Sequence, residues 1–116
     1  MKQLTSFKHA FNGLLSVFMS ERNFRIHIIA IIIVSIAGYF LAINIEEWLA
    51  IILTFMIVTV VEILNTAIEK LSDIVSPDYN EKIKYIKDIS AGAVLLSAIG
   101  AVAVGLIIFL PKVIEI

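Results

Sequence analysis

Apolar residues come in three long runs along this chain, over positions about 26–43, 48–70 and 87–110. Each falls within the roughly 17–25 residues that an α-helix needs to cross a bilayer. The first is interrupted by His27 near its start, and Ile89 to Leu110 carries no charge. Ahead of them, Phe7, Phe11, Leu14, Leu15 and Phe18 recur at helical spacing, while Lys8, Asn12 and Ser16 take other faces. That pattern predicts an amphipathic helix over about 5–20, lying on the cytoplasmic membrane surface or packed against the bundle. The expected fold class is an all-α membrane protein, with an N-terminal amphipathic surface helix and three transmembrane helices. Together they form a single membrane-embedded domain over 1–116.

Between the second and third runs, Ser76-Pro77-Asp78-Tyr79-Asn80 reads as a turn, or as a new helix capped by Ser76 with Pro77 at its first position. In the third run Ala93, Ser97, Ala101 and Gly105 recur every four residues, a small-residue seam suited to close helix contact. Three spans make a thin bundle, and polar side chains inside it need shielding from lipid on several sides. Homo-oligomerisation is therefore expected.

Composition supports the membrane reading. Hydrophobic content of 60% and a mean hydropathy of +1.02 exclude an ordinary soluble domain. The first 25 residues lack an uninterrupted apolar core and a small-residue cleavage pattern, so the N-terminus is expected to be retained. With no cysteine, disulfide and thiolate chemistry are ruled out. Net charge is −1, but its placement is uneven. Lys2, Lys8, Arg22 and Arg25 precede the first run, and Lys70, Lys82, Lys84 and Lys87 lie between the second and third. The first link offers Asn44, Glu46 and Glu47, and Lys112 alone of nine basic residues falls on the far side. The positive-inside rule then places the N-terminus and the second loop in the cytoplasm and the C-terminus outside. The expected location is the plasma membrane, crossed several times, with no nucleic-acid partner.

The second run also holds Glu62, Asn65 and Glu69, with Asp73 just beyond. At about 100° per residue these four share a helix stripe roughly 80° wide. An ionised carboxylate in hydrocarbon costs a few kcal/mol or more, so the stripe implies something that neutralises it. Two readings are open. A cation binds there, or Glu62 and Glu69 pair with Arg22, Arg25 or Lys87 of neighbouring helices. Glu62 and Glu69 stand about 10 Å apart along the axis, too far to share one small ion alone. The spacing suits one carboxylate holding a cation near the interface and another working deeper in. Glu21 lies at the same membrane level and can supply a second metal ligand. Such carboxylates suit Mg²⁺, which binds through one or two of them plus substrate phosphates. Lys87 and Asp88 open the third span as a snorkelling anchor or a polyphosphate-binding wall. His27, beside Arg25, reads as an interfacial side chain rather than a ligand. No GxxxxGK[ST], GxGxxG or Cys/His metal set is present, so a nucleotide would have to be held by metal, Lys and side-chain contacts.

The run Val61-Glu62-Ile63-Leu64-Asn65-Thr66-Ala67-Ile68-Glu69, followed by Asp73, closely resembles the signature of the prokaryotic diacylglycerol kinase family. So do Glu21-Arg22-Asn23-Phe24-Arg25-Ile26-His27 before the first span and Lys87-Asp88-Ile89-Ser90-Ala91-Gly92-Ala93-Val94 at the third. The resemblance covers essentially the whole chain. It implies a small integral-membrane homotrimer that moves the γ-phosphoryl group of ATP, with Mg²⁺, to a membrane-lipid hydroxyl. By resemblance Glu62 would be the general base and Asn65 would orient the reactants. Glu21 and Glu69 would hold Mg²⁺, with Lys87 and Asp88 on the nucleotide. Asp78, Tyr79 and Asn80 fall in the family's adenine and ribose contact region. His9 stands where the family often has Tyr, again a nucleotide contact, and Lys2 takes the place of a basic residue near the phosphates. The lipid would meet Arg25, Glu62 and Ala91.

The lipid implied is undecaprenol or diacylglycerol. Glu21 to His27 and Lys87 to Leu95 resemble the undecaprenol kinase branch more closely, since His27 replaces an acid and Ala91 a Ser usual in the other. Two other functions are compatible with the composition. A proton- or cation-handling subunit would need polar steps through the outer half of a span, where only Thr54 and Thr59 occur above Glu62. A catalytically silent assembly partner of the same fold would have lost the carboxylates or the Lys87–Asp88 pair, and all are present.

Overall fold

The computed structural model of the protein describes residues 2–115 and contains four α-helices: α1 Lys2–Ser20, α2 Arg22–Phe40, α3 Ile45–Val75 and α4 Glu81–Ile114. The last three are long and apolar enough to cross a membrane. At 1.5 Å per residue, α3 is about 46 Å long against ~30 Å of hydrocarbon, so part of it must project beyond the bilayer core.

A single extended residue, Glu21, separates α1 from α2. The Arg25 guanidinium donates to the carbonyls of Phe18 (3.2 Å) and Met19 (2.9 Å), supplying partners that the end of α1 lacks within its own helix. Phe18 and Phe24 meet edge to face at 6.3 Å across the same corner. The corner fixes where Glu21 stands. Along α1, Phe7, Phe11, Leu14 and Leu15 remain exposed in the single chain, with Phe11, Leu14 and Leu15 bordering a groove toward α2 and α3.

The first apolar run ends earlier than its hydropathy predicts. Helix α2 stops at Phe40, and residues 41–43 form a turn. Ala42 takes a left-handed φ of 52°, with its N–H bonded to Tyr39 O and that of Ile43 to Gly38 O. This is the Schellman stop, here with Ala where Gly is usual. Hydropathy counts Leu41 and Ile43 as membrane residues without sensing the backbone reversal. Next, Asn44 Oδ1 accepts from Glu47 N–H, and Glu47 Oε1 accepts from Asn44 N–H, a capping box that starts α3.

The tightest apolar packing lies at this turn end, where Ile43, Ile51 and Ile108 are buried against Trp48, Val104 and Phe109. Lys112 and Glu47 close it with an ion pair at 3.3 Å. Helices α3 and α4 share the largest helix–helix contact. The proposed small-residue seam is only partly on that face. Ser97, Ala101 and Gly105 are half-buried, whereas Ala93 is exposed. A Cβ at Gly105 would meet nothing within 4 Å, so that glycine opens a groove instead of allowing close contact. In the second loop Ser76 caps the end of α3, and Asn80 starts α4 by accepting from Lys82 N–H and Ile83 N–H. Residues 76–80 are thus a turn, the first of the two alternatives.

Gly38 is where the two sides of the turn end touch: an added Cβ would lie 2.9 Å from both Ile43 Cδ1 and Trp48 Cη2. Gly38→Val is expected to cost about 1–3 kcal/mol through overpacking. Gly100→Ala, which meets open space, should cost nothing measurable. Thermal unfolding of the detergent-solubilised variants checks this, and equal midpoints for both would contradict the packing described.

Candidate active site

Along α3 the four polar residues of the stripe differ in burial. Glu62 is 5% exposed, Asn65 is half-buried, and Glu69 and Asp73 are exposed. The stripe therefore runs from the packed interior to the helix surface in about three turns.

Glu62 faces α2, with Oε2 3.4 Å from His27 Nε2. Among the described residues its other oxygen has no polar partner. The neighbouring cations are occupied elsewhere: Arg25 by the α1 carbonyls, and Lys87 by Asp73. Pairing of Glu62 with Arg25 or Lys87 is replaced by contact with His27. His27, read as an interfacial side chain, is half-buried and in contact with Glu62.

Asn65 is held from both sides. Its Nδ2 donates to Glu69 Oε1 at 3.1 Å, and its Oδ1 accepts from Ser90 Oγ of α4 at 2.7 Å. Ser90 is buried and was not singled out by sequence reasoning. Because its neighbours Asp88, Ile89, Ala91 and Gly92 are all exposed, only the rotation of α4 distinguishes it. Glu21 stands beside the same end of α3, with Oε1 3.8 Å from Lys70 Nζ, which sets it at the level of Glu69.

The remaining candidates spread outward. Lys87 joins α4 to α3 through Asp73, while Asp88 pairs with Lys84 at 2.7 Å one turn away, an exposed pair of little stabilising value. In the loop, Asp78 and Tyr79 are exposed, and Asn80 is exposed with its side-chain oxygen committed to the α4 cap. His9 lies exposed on α1 and Ala91 exposed on α4. Lys2 begins α1.

Below His27 an apolar groove of about 170 Å³ runs between α2, α3 and α4, lined by Ile31, Val34, Val58 and Phe109 among others. Thr54 is the other polar side chain on its wall. The arrangement places a hydrocarbon-lined groove next to a buried carboxylate through His27, with further carboxylates, an amide and a lysine beyond it along α3 and α4. Such a groove can hold an apolar molecule by its chain, with a terminal polar group at its His27 end. Among the described residues, no group of three or more His, Asp or Glu side chains surrounds one point.

Residues 8–109 match the family model described as prokaryotic diacylglycerol kinase. The chain is 39% identical to an undecaprenol kinase of Bacillus subtilis over 107 residues, covering 92% of this chain and 87% of that protein. It is 40% identical to a diacylglycerol kinase of Synechocystis over 114 residues, covering 97% of this chain and 65% of that one. A diacylglycerol kinase of Escherichia coli K12 is 31% identical over 94 residues, covering 81% and 77%. With the family match extending over nearly the whole chain and all three membrane helices, the protein belongs to the prokaryotic diacylglycerol kinase family.

Proposed function

We propose that the protein is a lipid kinase that transfers the γ-phosphoryl group of ATP to the hydroxyl of undecaprenol at the cytoplasmic membrane interface, working as a homotrimer. The observation that carries this reading is that the groove ends at His27, which contacts the buried Glu62. Identity alone does not separate the two lipids, at 39% for the undecaprenol kinase and 40% for a diacylglycerol kinase. The groove wall does favour one. Diacylglycerol brings two ester groups close to its hydroxyl, and buried ester carbonyls need donors. Thr54, the only other polar side chain on the wall, is eight residues from Glu62, about 12 Å along α3. Undecaprenol has one polar group and is otherwise hydrocarbon.

In this reading Glu62 accepts the hydroxyl proton as the lipid oxygen attacks the γ-phosphorus. Asn65, fixed by Ser90, keeps Glu69 in place. Glu21 and Glu69 would hold Mg²⁺. The donor set fits a hard cation completed by substrate phosphates, since Asn65 engages one oxygen of Glu69 and leaves the other free. When bound, the metal supplies charge neutralisation on the phosphates. Lys87, Asp88 and the loop residues Asp78, Tyr79 and Asn80, with His9 on α1, would contact the nucleotide. Arg25 and Ala91 would border the lipid. Most α1 and span side chains are exposed in one chain, which supports lipid and neighbouring subunits as their cover.

The test is phosphate transfer from labelled MgATP by purified protein in mixed micelles, with undecaprenol and diacylglycerol side by side. The expected result is transfer to both or to undecaprenol alone, with undecaprenol preferred. Preference for diacylglycerol would overturn the lipid assignment, and transfer to neither would overturn the kinase reading. In the same assay Glu69→Gln should raise the Mg²⁺ concentration needed for half-maximal rate by about tenfold or more. An unchanged Mg²⁺ titration would remove Glu69 from the metal site.

A further inference from the structure

Glu62 is the most deeply placed carboxylate of the polar stripe, and its surroundings leave its charge with one polar contact. On α2, Arg25 is spent on the carbonyls of Phe18 and Met19. On α3, Glu69 is held by Asn65, and Asp73 by Lys87. On α4, Ser90 is spent on Asn65, and Asp88 on Lys84. Glu21 meets Lys70 beyond the stripe. What remains is His27, whose Nε2 is 3.4 Å from Glu62 Oε2. His27 also forms the roof of the apolar groove, so it borders both the base and the path of the lipid. Its side chain is 27% exposed against 6% for that of Glu62, so the imidazole is the more open of the two.

We propose that His27 is a positioning residue for the acceptor base: its Nε2–H holds Oε2 of Glu62 and leaves Oε1 to receive the proton of the lipid hydroxyl. The inference rests on Glu62 being that base. A carboxylate on a flexible side chain rotates, and a base must lie within hydrogen-bond reach of the proton it takes. Anchoring one oxygen would remove that rotation at no cost in the transition state, because the two side chains are already in contact before the substrate arrives. In the step itself the lipid oxygen gives its electron pair to the γ-phosphorus. The bond from that phosphorus to the bridging oxygen breaks, its pair leaving with ADP, and the hydroxyl proton goes to Glu62 Oε1. His27 forms and breaks no covalent bond in the step.

His27→Leu removes the donor and keeps the bulk, whereas His27→Gln keeps an N–H donor without a titrating ring. Steady-state phosphorylation of the lipid by both variants, with wild type and Glu62→Gln in parallel, separates the outcomes. His27→Leu is expected to lower kcat by roughly tenfold to a hundredfold, with KM for MgATP and lipid within about threefold of wild type. His27→Gln should recover most of kcat. Wild-type kcat in His27→Leu would overturn the proposal, and so would a raised lipid KM at unchanged kcat, which marks only a groove wall. Equal loss in both variants would also overturn it, since an N–H donor would then be insufficient. Glu62→Gln distinguishes the two levels: if it retains turnover, the base assignment itself fails, whatever His27 does.

Discussion

A carboxylate buried among membrane helices is the constraint around which this protein is arranged. Placing ionised Glu62 in an apolar junction costs several kcal/mol unless its charge is met. The chain meets it with one imidazole from α2 and sets it on the polar stripe of α3. The other polar side chains of that end are already bonded to one another: Ser90 to Asn65, Asn65 to Glu69, and Lys87 to Asp73. The network ties α4 to α3.

The opposite end is built on different physics. There the Schellman turn, the Asn44 capping box, the Gly38–Trp48 contact and the Glu47–Lys112 pair close the bundle with apolar packing and satisfied helix ends. One end is therefore rigid and sealed, while the other carries carboxylates on a scaffold that the sealed end holds in register. The groove runs between them, from His27 down to Phe109. A substrate that is hydrocarbon along its length and polar at one tip matches both halves.

Much of this was legible in the chain. The 3.6-residue period put Glu62, Asn65, Glu69 and Asp73 on one face, and run lengths separated three spans from the surface helix. Cross-helix relations were not legible. That His27 meets Glu62, and that Ser90 alone of its neighbours turns inward, depends on helix rotations that no single-helix period encodes. The end of α2 was missed because Ala42 adopts a left-handed conformation without the usual glycine. Asn80 as the cap of α4 was readable in principle, as an Asn directly before a charged first turn, but Ser76-Pro77 offered a competing start. Arg25 and Lys87 looked like partners for Glu62 and Glu69, and the structure gives the one to the α1 carbonyls and the other to Asp73, the outermost carboxylate of the stripe.

The most direct test of the central claim compares wild type and Glu62→Gln in a single turnover, with MgATP and lipid binding measured separately. If Glu62 is the base, binding and assembly stay unchanged and transfer slows by about a hundredfold or more, the share a general base contributes. Transfer at the wild-type rate, or loss of transfer explained wholly by lost binding, would contradict it.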